Sequence, residues 1–132
     1  MIVYADTSAL AKLVVAEAQT RSLRAWLARR RSTPLVTNVV GVVELRRLAA
    51  RVSTAAVPAA ELLLSRIDQL QLTSAALELA ARLTPPGVRT LDALHVGSAA
   101  ELADLEAVLT YDRRMADACI ALGLPVAAPG RR

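Results

Sequence analysis

Apolar and polar positions divide the chain into short apolar runs and longer amphipathic stretches of helical period. Residues 2–5 are an apolar run that stops at Asp6, which predicts a buried strand. From Thr7 to about residue 16 the pattern turns helical, with an Asp6, Thr7 or Ser8 oxygen as N-cap. A second helix is expected over residues 17–30, with Thr20, Leu23, Trp26 and Leu27 on one side. Residues 34–37 suit a strand and residues 38–51 a third helix. Val57-Pro58 reads as the break before a fourth helix, where Leu63, Ile67 and Leu70 recur at i, i+4 and i+7. A short strand at residues 71–73 precedes a fifth helix carrying Ala76, Leu79, Ala80 and Leu83. After the loop Thr84-Pro85-Pro86-Gly87, Thr90 caps a helix to about residue 103. Residues 107–110 suit a strand, Asp112 opens a helix to Leu122, Gly123 is a natural C-cap, and residues 125–128 form a last strand. This alternation predicts an α/β fold: a central, mainly parallel sheet of four to five short strands with helices on both faces.

Composition narrows the class. At 132 residues one domain, 1–132, is expected, with no internal repeat or linker. The 55% hydrophobic content comes from Ala, Leu and Val, and no apolar run approaches the roughly 18 residues that span a bilayer. The opening MIVYAD lacks a basic n-region and reads as no signal peptide. Cys119 is the only cysteine, which excludes an internal disulfide and a Cys-based zinc cluster. A reduced, cytoplasmic protein is the expectation.

Charge adds a hint of the partner. The net charge is +4, but residues 1–66 hold ten Lys or Arg against four acids, whereas residues 67–132 hold six against eight. All the bases except Lys12 are Arg. Solvated arginines explain this most simply; a phosphate-binding surface is the sharper reading, since guanidinium pairs bidentately with phosphate. Only Tyr4, Trp26 and Tyr111 are aromatic, which argues against single-strand binding by base stacking.

Four acids carry the candidate chemistry. Sites in parallel α/β sheets form beyond the carboxyl ends of the strands. Asp6 and Asp112 each follow an apolar strand and open a helix, and Asp92 lies in the first turn of its helix. Each alone is explained by helix capping or the helix dipole. Glu44 is different, because it lies mid-helix on a largely apolar face between Val40 and Leu48 and requires a partner or a metal. Arg47 at i+3 is one such partner. Convergence of all four would create repulsion that a divalent cation relieves. Oxygen ligands without His or Cys favour Mg²⁺ or Mn²⁺, whose bound water suits in-line attack on a phosphodiester.

The segments YADTSALAKL, VVELRR, RTLDALHVGSA and LTYDRRMADACIALGLPVAAPG, in this order, resemble the PIN-domain family and within it the VapC toxins. The resemblance spans essentially the whole chain. It implies a three-layer α/β/α PIN fold and Asp6, Glu44, Asp92 and Asp112 as the catalytic, metal-binding cluster. In it Asp6 and Asp92 are direct ligands, Glu44 and Asp112 ligands or water-mediated groups, and Thr7, Ser8 and Thr110 orient water or phosphate. It also implies an Mg²⁺-dependent endoribonuclease (Mn²⁺ being the other ion), with tRNA or ribosomal RNA as substrate. The partners it implies are a VapB-type antitoxin, a homodimer and a larger toxin–antitoxin complex. An antitoxin Arg in the acidic cleft would form charge-assisted bonds, and Leu13, Leu23, Trp26 and Leu27 would offer a groove for an amphipathic helix. The stretch around Asn38 and Gly41 departs from the Ser-rich form of the family.

His95, three residues after Asp92, is a candidate general base, but between Leu94 and Val96 it reads better as a packed, hydrogen-bonded histidine. Asp117 is read as solvated or Arg-paired, and Cys119 as core beside Met115 and Leu122. Among rival classes, an aspartyl phosphatase of the haloacid-dehalogenase type needs an acid where Ser8 stands, and a phospho-receiver needs a late Lys where the chain has only Lys12. A PIN-fold interaction or RNA-binding module without nuclease activity is the alternative, since capping alone accounts for three of the acids.

Overall fold

In the computed structural model, which describes residues 1–131, strands and helices alternate along the chain. They are β1 (Ile2–Ala5), α1 (Thr7–Val14), α2 (Thr20–Ala28), β2 (Leu35–Asn38), α3 (Val39–Val52), α4 (Ala56–Ser65) and β3 (Asp68–Leu70). After these come α5 (Ser74–Ala81), α6 (Thr90–Ala100), β4 (Leu105–Leu109), α7 (Arg113–Ala121) and β5 (Val126–Ala127). Every strand pairing is parallel, and the order across the sheet is β3-β2-β1-β4-β5. The expected three-layer α/β/α fold with a parallel sheet is therefore the fold of this chain.

Side chains alternate across the pleat and feed two cores. Val3, Ala5 and Leu109 pack with Leu10, Leu23, Leu45 and Leu64 of α1 to α4. Tyr4, Val36 and Val108 pack on the other face with Val96, Met115 and Cys119 of α6 and α7. Each leucine fully buried in this way stabilises the fold by roughly 1.5–3 kcal/mol. Cys119 is core, as its apolar stripe indicated, and burial pushes its thiol up to about 12. No described helix is long and apolar enough to cross a membrane.

Several expected boundaries move. Leu63, Ile67 and Leu70 do not share a helix: α4 stops at Ser65, where the Arg66 amide bonds back to the Leu63 carbonyl and tightens the last turn. Residues 68–70, rather than 71–73, are the strand, because they pair in register with Val36, Thr37 and Asn38 of β2. Pro58 does not precede α4; it lies in its first turn, where a missing N–H costs no helical bond. Thr90 is the first residue of α6 and Arg89 its N-cap, with no side-chain capping bond. Gly123 ends α7 at φ 78°, a left-handed conformation that glycine adopts without strain.

Helices α5 and α6 pack so closely that a methyl group at Gly97 would lie 2.4 Å from the Ala76 carbonyl oxygen. Backbone cannot yield as a flexible side chain does. Gly97→Ala is therefore expected to destabilise the fold by about 1–3 kcal/mol despite its better helix propensity, read as a lower melting temperature. Unchanged or raised stability would show that the α5–α6 contact is looser than described.

Candidate active site

Strand order reverses between β1 and β4, since the chain progresses outward through β2 and β3 on one side and through β5 on the other. Loops leaving two such strands diverge to opposite faces of the sheet and open a crevice at their carboxyl ends. Asp6 follows β1 and Asp112 follows β4 by three residues, which sets both at this crevice. Glu44 comes from the second turn of α3, and Asp92 from the first turn of α6.

Asp6 is 3% exposed and fully engaged. Oδ1 accepts from the Ser8 hydroxyl at 2.7 Å and from the Ala9 amide at 3.0 Å, and Oδ2 accepts from the Thr110 hydroxyl at 2.6 Å. Burial raises its pKa, and these three donors oppose the rise. Ser8 also accepts from the Tyr111 amide, so one hydroxyl ties the loop after β4 to the Asp6 cap. Asp112 is likewise a cap: Oδ1 accepts from the Arg114 and Met115 amides at 2.9 and 3.2 Å. The capping readings for Asp6 and Asp112 are thus correct, but capping leaves Asp112 Oδ2 uncommitted among the described residues.

Asp92 makes no side-chain hydrogen bond or ion pair among the described residues. It shares a cavity with Asp112, Arg89, Tyr111, Arg113 and Arg114. Its pKa is raised first by burial, next by the charge of Asp112, and further by Asp6 and Glu44, with His95 opposing. The other three predicted acids are therefore within electrostatic reach of Asp92. They do not form a ready-made cage: among the described residues no three His, Cys, Asp or Glu side chains are grouped closely enough to hold an ion as they stand.

Glu44 is partnered, but not by Arg47. Its Oε1 accepts from the Thr7 hydroxyl at 2.6 Å and lies 2.8 Å from His95 Nε2. Burial tends to raise its pKa, but the His95 and Thr7 bonds outweigh that and hold it below the ordinary range. Arg47 is exposed and lines, with Glu44, Thr7, Val40, Val43 and Leu91, a groove beside the acidic cavity. Gly41 makes room for this arrangement, because a methyl group there would meet Thr37 Oγ1 at 2.2 Å and the His95 ring at 3.1 Å. Asn38 caps α3 through the Gly41 amide and also reaches Ser98 on α6 at 2.9 Å, so this departure from a Ser-rich stretch still fixes the helix start.

His95 is packed and hydrogen-bonded as expected; its link to Glu44 was not foreseen. Nor were Arg89, Arg113 and Arg114 singled out as the basic rim around Asp92 and Asp112. Other arginines are engaged elsewhere, Arg30 with Glu106 and Arg46 with Glu61. Asp117 is exposed and makes no ion pair among the described residues, which fits the solvated reading.

An acidic crevice at the reversal of a parallel α/β/α sheet defines the class, and comparison with known proteins gives the family. The PIN domain model matches residues 3–121. Ribonuclease VapC35 of Mycobacterium tuberculosis is 36% identical over 133 residues, covering 98% of both chains. The solved structure of VapBC2 from Rickettsia felis, bound to a DNA fragment from their promoter, is similar at TM-score 0.75 and 13% identity, over 96% of this chain and 98% of that one. Mycobacterium tuberculosis VapC20, described as a Sarcin-Ricin loop cleaving toxin, is similar at TM-score 0.70 and 21% identity, over 96% of this chain and 99% of that one. The chain belongs to the PIN-domain family, in its VapC-type branch.

The raised pKa of Asp92 has a signed consequence. A carboxyl whose folded pKa lies above its unfolded value contributes stability below the unfolded pKa and loses it as pH rises through the folded one. With chelator present, the melting temperature of Asp92→Asn relative to wild type should therefore climb as pH rises from the acid range toward neutral. The helix-dipole contact of Asp92, about 0.3–1 kcal/mol, acts only on the ionised carboxylate and so offsets part of that climb. A flat difference across this range would mean that the other acids do not press on Asp92.

Proposed function

We propose that this chain is the toxin of a type II toxin–antitoxin pair, an Mg²⁺-dependent endoribonuclease acting through Asp6, Glu44, Asp92 and Asp112. The observation that carries the reading is Asp92: a half-buried carboxyl with no hydrogen-bond or ion-pair partner among the described residues, pressed by three other acids. Such an arrangement costs stability, and capping does not account for it. The donor set fits a hard divalent ion, being all carboxylate oxygen, with Asp92 and Asp112 Oδ2 uncommitted among the described residues. Mg²⁺ or Mn²⁺ bound there would offset the acids and supply an activated water for phosphodiester hydrolysis. Asp6 and Asp92 would be its direct ligands and Glu44 and Asp112 ligands or water-mediated groups, the side chains closing on the ion from their present separation, with Asp6 held in place by Ser8, Ala9 and Thr110. Arg89, Arg113 and Arg114 would seat RNA phosphates at its rim. The name of VapC35 supports ribonuclease activity, and the description of VapC20 supports a structured RNA loop as substrate.

Capping at Asp6 and Asp112 favours the second reading, an interaction module without catalysis. Metal and RNA assays separate the two. At a free ion concentration a hundred times Kd, Mg²⁺ or Mn²⁺ is expected to stabilise the wild type by about 2.7 kcal/mol, a gain Asp92→Asn should largely lose. RNA cleavage should disappear in chelator and in Asp92→Asn, with the fold retained. Full cleavage by a folded Asp92→Asn would remove the four-acid assignment, and metal-insensitive stability with no cleavage would favour the interaction module.

The antitoxin reading gains a surface, with one correction. Leu23 is buried in the core and Trp26 lies under the Arg30 guanidinium at 3.6 Å, so neither opens a groove. Leu13 and Leu27 instead meet Leu62, Leu63 and Ile67 of the α4 region in a groove rimmed by Arg24, Arg30, Arg31 and Arg66. An apolar floor with a basic rim suits an amphipathic helix with acidic flanks, the part a VapB-type antitoxin would supply. Leu62→Glu, at an exposed position, is expected to abolish co-purification with the product of the adjacent upstream gene while leaving free nuclease activity unchanged. Undiminished co-purification would place the antitoxin elsewhere.

A further inference from the structure

The acid cluster does not use His95 as a ligand, yet both of its ring nitrogens are committed. It is the single histidine of the chain and is 1% exposed. Nδ1 lies 2.7 Å from the Tyr4 hydroxyl, and Nε2 lies 2.8 Å from Glu44 Oε1. The Tyr4 ring meets the imidazole edge-on, with centroids 5.8 Å apart and planes at 71°, which restrains the imidazole plane.

The direction of the two bonds follows from donor chemistry. A carboxylate only accepts, so the proton between His95 and Glu44 belongs to Nε2. On the other side, His95 Nδ1 is the hydrogen-bond partner of the Tyr4 hydroxyl among the described residues. A neutral imidazole protonated at Nε2 keeps a lone pair at Nδ1, so Tyr4 turns its own proton to that nitrogen. Burial pushes the Tyr4 phenol far above its ordinary range, so that proton stays in place.

The result is a directed chain from Tyr4 through His95 to Glu44. Thr7 donates to the same Glu44 oxygen at 2.6 Å, so Oε1 is bonded twice while Oε2 carries no hydrogen bond among the described residues. We infer that Tyr4 and His95 are positioning residues, which hold Glu44 in one orientation and make Oε2 the oxygen it offers to the cleft. The role in cleavage rests on the reading of that cleft as the nuclease centre; the geometry of the chain does not.

The test begins with nitrogen NMR of histidine-labelled wild type at neutral pH in chelator, where one imidazole is observed without overlap. A protonated Nε2 with an unprotonated Nδ1 is expected, and in Tyr4→Phe, which removes only the donor to Nδ1, the Glu44 carboxylate should keep the proton on Nε2 while the Nδ1 resonance shifts on losing its hydrogen bond. A proton on Nδ1 of the wild type overturns the inference whatever the nuclease assay shows. In RNA cleavage, Tyr4→Phe is expected to lower kcat about tenfold with KM within about twofold of wild type. His95→Gln, which keeps an N–H able to reach Glu44, should retain more activity than His95→Leu. A folded Tyr4→Phe with wild-type kcat, or equal loss in the two His95 variants, overturns the positioning role. Wild type that shows the expected tautomer but cuts no RNA supports the geometry of the chain and refutes the nuclease reading alone.

Discussion

The parallel pairing of β1 with β4 sets Ala5 beside Leu109 and Tyr4 beside Val108, joining the beginning of the chain to its last third. It is also where strand order reverses, so the segments leaving these strands part to opposite faces instead of covering the sheet edge. The crevice between them is bridged where the Thr110 hydroxyl donates to Asp6 across 104 positions of sequence. Ser8 adds a second tie through the Tyr111 amide. These bonds couple the helix caps on either side of the crevice, and the distance between the acids follows from the strand spacing rather than from contacts among the acids themselves.

The four carboxylates divide accordingly into two kinds. Asp6 and Glu44 have donors arranged around them, and their positions are set by the fold. Among the described residues Asp92 has no donor and Asp112 only its own helix amides, and both lie among arginines that are themselves exposed. A fully satisfied buried carboxylate is rigid, whereas an unsatisfied one pressed by like charges is a defect from the standpoint of stability. Local rules broken in this way are common at functional positions, where the missing partner is a ligand.

What the sequence disclosed depended on how local the cause was. Strands β1, β2 and β4 were legible because a short apolar run, a polar stop and a helical pattern follow one another within a few residues. The β3 segment was not, because Asp68, Gln69 and Leu70 form a strand only through pairing with β2, while Ile67 and Leu70 happen to continue the helical spacing of Leu63. The acids at strand ends were legible for the same local reason. Their surroundings were not: whether Leu23 lines a groove or fills the core depends on how α1 to α4 pack, and Leu23 fills the core.

Glu44 and His95 show how far reasoning from single residues reaches. Each stood out alone as a polar group on an apolar helix face, and the cost of burying such a group demands a hydrogen-bonding partner. For Glu44 the nearest helical neighbour, Arg47, was the natural choice; for His95 no partner was evident. The fold answers both demands with one contact, because α3 and α6 converge beside the carboxyl edge of the sheet and face each other there. Two unexplained buried groups of complementary chemistry are thus evidence about each other. A third, the Tyr4 hydroxyl at an otherwise apolar strand position, completes the set, and with it a carboxylate at the cleft is oriented from the opposite core. Polar groups that would each weaken a core alone become, once joined, the means by which one core of the protein fixes the geometry of the crevice.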